Sequence, residues 1–169
     1  NDAGADDNTA IGQGAMSGNL TSTADSNTAI GNKALFANSG GGYNTAVGSL
    51  ALEANTSGSY NVALGYRSLY SNTTGNGNVA SGAAALQFNI TGNYNTAMGE
   101  SALRDNTTGS YNAALGYEAL FSNTTGTSNT ASGDNALTSN TTGASNTASG
   151  KSALYSNTTG SDNVASGYK

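Results

Sequence analysis

The sequence predicts an all-β chain wound into a β-solenoid (β-roll) of about ten coils. The first observation behind this is a repeat. The pattern Asn-Thr-Ala-x-Gly, with Val or Ala replacing Thr in some copies, begins at Asn8 and returns at Asn27, Asn44, Asn61, Asn78, Asn95, Asn112, Asn129, Asn146 and Asn163. After a first interval of 19 residues, every spacing is 17. So short and regular a period means one coil per repeat, each resting on its neighbours. The second is that Leu, Ala and Gly hold fixed phase, which a disordered low-complexity tract has no reason to do. The third is the complete absence of Pro, which would remove a ladder hydrogen bond wherever it entered a coil.

Numbered from its Asn, the coils share the consensus N-T-A-x-G-x-x-A-L-x-x-N-T-T-G-x-Y. The Asn, the Ala (Ala10, Ala29, Ala46 through Ala165) and the Gly (Gly12, Gly31, Gly48 through Gly167) are constant. Alternate strand residues face opposite ways, so these three point into the coil and positions 17, 2 and 4 point out. Position 9 is the expected core ladder: Leu35, Leu52, Leu69, Leu86, Leu103, Leu120, Leu137 and Leu154, with Met16 in the first coil. Burying one Leu is worth about 2 kcal/mol. Position 12 is always Asn, suited to bonding its own backbone and the coils above and below. Position 15 is always Gly from Gly41 to Gly160, read as a turn with positive φ. Charged side chains such as Lys33, Glu53, Arg67, Glu100, Arg104, Asp105, Glu118, Asp134 and Lys151 keep to the outer corners. A helix in A-L-x-x-N would be too short to hold.

The outer face changes along the chain. Tyr43 precedes Val47, Tyr60 precedes Leu64, Tyr94 precedes Met98 and Tyr111 precedes Leu115. Where the Tyr is missing the partner is Ser: Gly77 with Ser81, Ser128 with Ser132, Ser145 with Ser149, Asp162 with Ser166. Ser26 with Ile30 departs from the rule. A contiguous stripe of Tyr, Val, Leu and Met exceeds what a soluble monomer usually exposes. Those eight residues are the expected oligomer interface. One Leu and two Ala per coil also struggle to offset an ordering cost of about 1.5 kcal/mol per residue, which favours burial against other copies.

Asn27-Thr28-Ala29-Ile30-Gly31 and Asn44-Thr45-Ala46-Val47-Gly48 resemble the head repeats of trimeric autotransporter adhesins. The fuller pattern from Asn112 to Gly126 resembles repeats of tail-fibre-like proteins of phages and bacteria. The resemblance covers Asn8 to Lys169 and implies a left-handed β-roll, three chains side by side, and a place outside the cell, on its surface or on a virion. The adhesin heads have a shorter repeat, and this chain carries no membrane anchor, coiled-coil stalk or chaperone domain.

Composition excludes several functions. There is no Cys and no His, so disulfides and thiolate or imidazole metal sites are out. Nucleophilic catalysis lacks its usual base or thiol, and the outer-corner carboxylates suggest no cleft for glycoside hydrolysis. No enzyme activity, cofactor or metal is expected. Asp2, Asp6 and Asp7 read as a solvated terminus rather than a calcium site. A net charge of −5 with five scattered basic residues argues against nucleic acid. No apolar run approaches the roughly 20 residues of a membrane span.

Sequons at Asn19, Asn55, Asn72, Asn89, Asn106, Asn123, Asn140 and Asn157 are explained by the turn, although a suitable host could glycosylate them. The chain divides into an irregular N-terminal coil (1–26), eight regular coils (27–162) and an open partial coil (163–169). It starts without Met, as a mature form or fragment would, and its open last coil could stack on another subunit. The expected function is therefore structural, the shaft or adhesin head of a fibre or filament roughly 48 Å long per chain. Two alternatives compete. Paired columns at Thr107, Thr124, Thr141, Thr158 and at Thr108, Thr125, Thr142, Thr159 resemble ice-binding faces. Tyr70, Phe121 and Tyr155 at position 10 could bind surface glycans.

Overall fold

A computed structural model describes residues 7–18, 20–21 and 23–169. Asp2, Asp6 and Asn19 lie outside these residues. The chain is a β-solenoid whose ten short strands form one parallel sheet in chain order. They are β1 (Thr9–Ile11), β2 (Thr28–Ile30), β3 (Thr45–Val47), β4 (Val62–Leu64), β5 (Val79–Ser81), β6 (Thr96–Met98), β7 (Ala113–Leu115), β8 (Thr130–Ser132), β9 (Thr147–Ser149) and β10 (Val164–Ser166). Each central Ala stands opposite the Ala of the next strand, as Ala97 does opposite Ala114. The longer first interval keeps the same register, with Ala10 opposite Ala29.

Only three residues per coil are strand, because the glycine at position 5 ends each one with φ between 119° and 141°. Beyond that glycine the chain makes a tight corner. Its surprise is backbone handedness: positions 7 and 9 are left-handed in every regular coil, as in Ser101 (φ 58°) and Leu103 (φ 52°). A non-glycine residue there costs about 1 kcal/mol or more. The conformation persists because it keeps the corner laddered. Leu103 N donates to Ala119 O at 2.9 Å and Ser101 N donates to Ala83 O at 2.9 Å. The same twist delivers the Leu side chain inward.

The inward reading of Asn, Ala and Leu holds. Ala29 through Ala148 and Leu35 through Leu137 are fully buried, while Leu154 is only partly covered. Removing one central Leu leaves a void that the rigid ladder cannot close. Leu103→Ala is expected to lose about 3 kcal/mol of stability, measured by denaturant unfolding.

The polar part of the core is two asparagine ladders. In the first, Asn95 Nδ2 donates to Asn78 Oδ1 at 3.1 Å and to Gly109 O at 2.8 Å. In the second, Asn106 Nδ2 donates to Asn89 Oδ1 at 2.8 Å and to Gly109 O at 2.9 Å. The two ladders meet on the carbonyl of the position-15 glycine. This corrects the expected role of that residue. Gly41, Gly58, Gly75, Gly92, Gly109, Gly126, Gly143 and Gly160 have no positive φ. They are glycine because space is missing: a Cβ on Gly109 would lie 2.4 Å from both Asn106 Oδ1 and Gly126 O.

Candidate functional site

Among the described residues a cavity of about 490 Å³ opens at the last coil, between Leu154, Tyr155, Asn163 and Ala165; the other candidate sites are faces, and the outer face of the sheet comes first. Period-2 alternation turns positions 2 and 4 outward, and position 17, left-handed just before each strand, lies on the same face. Tyr43, Tyr60, Leu64, Tyr94, Met98, Tyr111 and Leu115 are all exposed, and Val47 is half-buried. The four tyrosines are 56–63% exposed, far from a packed state. The fold organises them in pairs. Tyr43 and Tyr60 stack with centroids 5.0 Å apart, and Tyr94 and Tyr111 with centroids 5.4 Å apart. Between the pairs lies Gly77, where a Cβ would meet the Tyr94 ring at 2.7 Å. Tyr94 therefore leans over the coil that lacks its own ring.

Sequence reasoning stops this stripe too early. Ile30 and Ile11 are exposed on the same columns and carry it toward the N-terminal end. Their outward phase is legible in the sequence, since Ile is apolar at position 4 whether or not a Tyr stands at position 17. No charged residue occupies positions 17, 2 or 4 between Ser26 and Leu115.

The chain matches no family model, no curated protein and no solved structure. Its function is therefore argued from its surfaces.

The threonine columns behave differently from each other. At position 13 the hydroxyls are used within the fold: Thr107 Oγ1 donates to Thr124 O, and Thr124 Oγ1 to Thr141 O, each at 3.0 Å. At position 14, Thr108, Thr125, Thr142 and Thr159 are exposed. One column rather than two thus faces water with its hydroxyls uncommitted.

The sequons among the described residues are structural. Asn55, Asn72, Asn89, Asn106, Asn123 and Asn140 have no exposed surface, and Asn157 is half-buried. The amide nitrogen that a glycan would take already donates twice, to the neighbouring Asn and to the position-15 carbonyl. A glycosylated Asn106 could not enter its coil.

The corner columns carry aromatic and charged side chains together. Phe36 and Tyr155 are exposed, whereas Tyr70 and Phe121 are half-buried. Lys33 Nζ sits 5.4 Å from the Phe36 centroid, and the Arg104 guanidinium 3.8 Å from that of Phe121. Arg104 also grips Asp105 through Nε to Oδ1 at 2.8 Å. The Asn135 amide, and after it the Lys151 ammonium 3.2 Å away, hold the Asp134 carboxyl below its usual range. The adjacent Glu118, above all, pushes the Tyr117 hydroxyl above its usual range. Among the described residues no group of three or more acidic, His or Cys side chains is placed to hold a metal. Tyr66 and Tyr117 at position 6, both exposed, escape a reading that considers only position 10 as a glycan surface. Tabulating aromatics by column finds them.

Proposed function

We propose that this solenoid is a structural segment of an extracellular or virion fibre, in which copies associate side by side through the tyrosine-lined sheet face. One observation carries the reading: an uncharged, apolar stripe is exposed on one face of a parallel sheet. Parallel sheets are ordinarily covered on both faces. Here the inner face is covered by the corner Leu ladder and the outer face by nothing among the described residues. Aromatic stacks at one-coil spacing offer a second copy a matching ridge, and burying them replaces water on several large rings. The resemblance to fibre repeats points the same way and suggests three chains.

The test is mass in solution by light scattering over a broad dilution series. The native chain is expected at a fixed mass of three copies. Tyr60→Ser, Leu64→Ser, Tyr94→Ser and Met98→Ser combined are expected to give monomers. The chain itself uses Ser at these columns in Ser128, Ser132, Ser145 and Ser149, so the coils should still form. A native chain that remains monomeric, or a variant that keeps the native mass, would sink the proposal.

A further inference from the structure

The chain has two arginines, and their situations are opposite. Arg104 is bound to Asp105. Arg67, on the corner after β4, has its guanidinium carbon 5.2 Å from the Tyr66 centroid and 5.4 Å from the Tyr70 centroid. Its Nε is closed off from solvent with no acceptor. No described residue offers the guanidinium a hydrogen bond or an ion pair. Glu53, one coil away on the position-10 column, does not reach it. A surface arginine is normally free to swing to a carboxylate, and a desolvated donor without a partner is unfavourable. Two tyrosines instead hold this cation in place with its terminal nitrogens unused.

The next coil keeps the place open. Ala84 N donates to Tyr66 O at 2.9 Å, which sets Ala83 and Ala84 directly beside Tyr66 and Arg67. Methyl groups at those columns leave Tyr66 52% exposed.

We propose that Tyr66, Arg67 and Tyr70 form a binding site for an acidic saccharide. The two Nη groups of Arg67 take the anionic group in the paired geometry that suits a planar carboxylate, and Tyr66 presents its ring to the C–H face of the sugar. A peptide fits less well. The local backbone is already paired, with Arg67 N donating to Ser49 O and Leu69 N to Ala85 O, so no strand can be added. The site lies on the corner after β4, and its test leaves the sheet-face residues Tyr60 and Leu64 unchanged.

The experiment is a titration of the full chain followed by NMR of the Arg67 Nε–H and the Tyr66 ring. Trigalacturonate, its methyl ester, a sulfated galactan trisaccharide and inorganic sulfate are the probes. Binding of trigalacturonate is expected to shift both signals and to weaken roughly tenfold or more in Arg67→Ser and in Tyr66→Ser. Arg104→Ser should leave it unchanged. Serine is native to these columns at Ser101 and Ser49, so the fold should survive, and circular dichroism verifies it. Preference for the sulfated trisaccharide would assign the anionic group as a sulfate ester and also support the site. Equal binding of the methyl ester, equal shifts with sulfate alone, or no shift with any saccharide would each overturn it.

Discussion

Gly99→Ala is expected to break the solenoid near its middle. Gly99 has φ +135°, and a Cβ there would lie 2.5 Å from Gly116 O and 2.7 Å from Gly116 C. The clashing atoms are backbone of the next coil, which no rotamer change can move. Dihedral strain and overpacking together should cost roughly 3–6 kcal/mol. In a solenoid each coil touches only its neighbours, so the loss falls on one interface and uncouples the coils on either side. Two unfolding transitions should replace one in thermal melts followed by circular dichroism. Gly167→Ala is the internal control. Its φ is +123°, yet no heavy atom lies within 4 Å of the added Cβ. It should therefore incur only the dihedral part, at an end coil. Equal losses from the two substitutions would show that crowding between glycine columns is not what fixes this residue.

The second large effect is expected from Asn95→Ala. Asn95 Oδ1 accepts from Asn112 N at 3.0 Å and from Asn112 Nδ2 at 3.1 Å, while its Nδ2 donates to Asn78 Oδ1 and Gly109 O. Truncation removes all of these. Asn112 Nδ2 keeps Gly126 O, but Asn112 N–H is left buried without an acceptor, and Gly109 O keeps only Asn106. With about 1–3 kcal/mol for each unsatisfied buried group and a void beside it, a total of roughly 4 kcal/mol is expected by denaturant unfolding. Asn95→Asp separates bonding from volume. The carboxylate would face Asn78 Oδ1 and Gly109 O, both acceptors, so its folded pKa should rise above the unfolded value. Stability would then be greater while the group is protonated and fall as pH rises through that pKa. Relative to the native chain, Asn95→Asp should be less destabilised in mild acid than at neutral pH. A variant equally destabilised at both would point to shape rather than donors as the role of the amide.

The architecture is legible because the repeat does not slip. A constant period gives the solenoid, and alternation around Asn44-Thr45-Ala46-Val47-Gly48 correctly turns Asn and Ala inward and Tyr43 and Val47 outward. The corner is what escapes. Leu has no preference for left-handed backbone, so nothing in Leu103 announces φ 52°; the need to bury its side chain while keeping the ladder overrides local propensity. Gly109 misleads for a related reason. Glycine signals either positive φ or an absent Cβ, and a single sequence does not say which. The carbonyl shared by Asn95 and Asn106 decides for the second. Of the surfaces, the tyrosine stripe is readable as a column because the repeat keeps its phase, although each Tyr sits before its strand on left-handed backbone (φ 55–60°) that the sequence does not announce. The pairing of Tyr66 with Arg67 and Tyr70 is not, since it depends on how the corner bends.

The register kept across the first interval has one more consequence. Ala10 meets Ala29 as squarely as Ala97 meets Ala114, although two additional residues intervene. Met16 N donates to Ala34 O as Leu35 N does to Ala51 O, and Tyr43 N donates to Asp25 O as Tyr60 N does to Gly42 O, so the ladder is in step on both sides of them. The molecule is thus a ruler on which graduation and ornament are set separately. A gene can lengthen it by whole repeats, and can enlarge a corner within any repeat, and neither change disturbs the other.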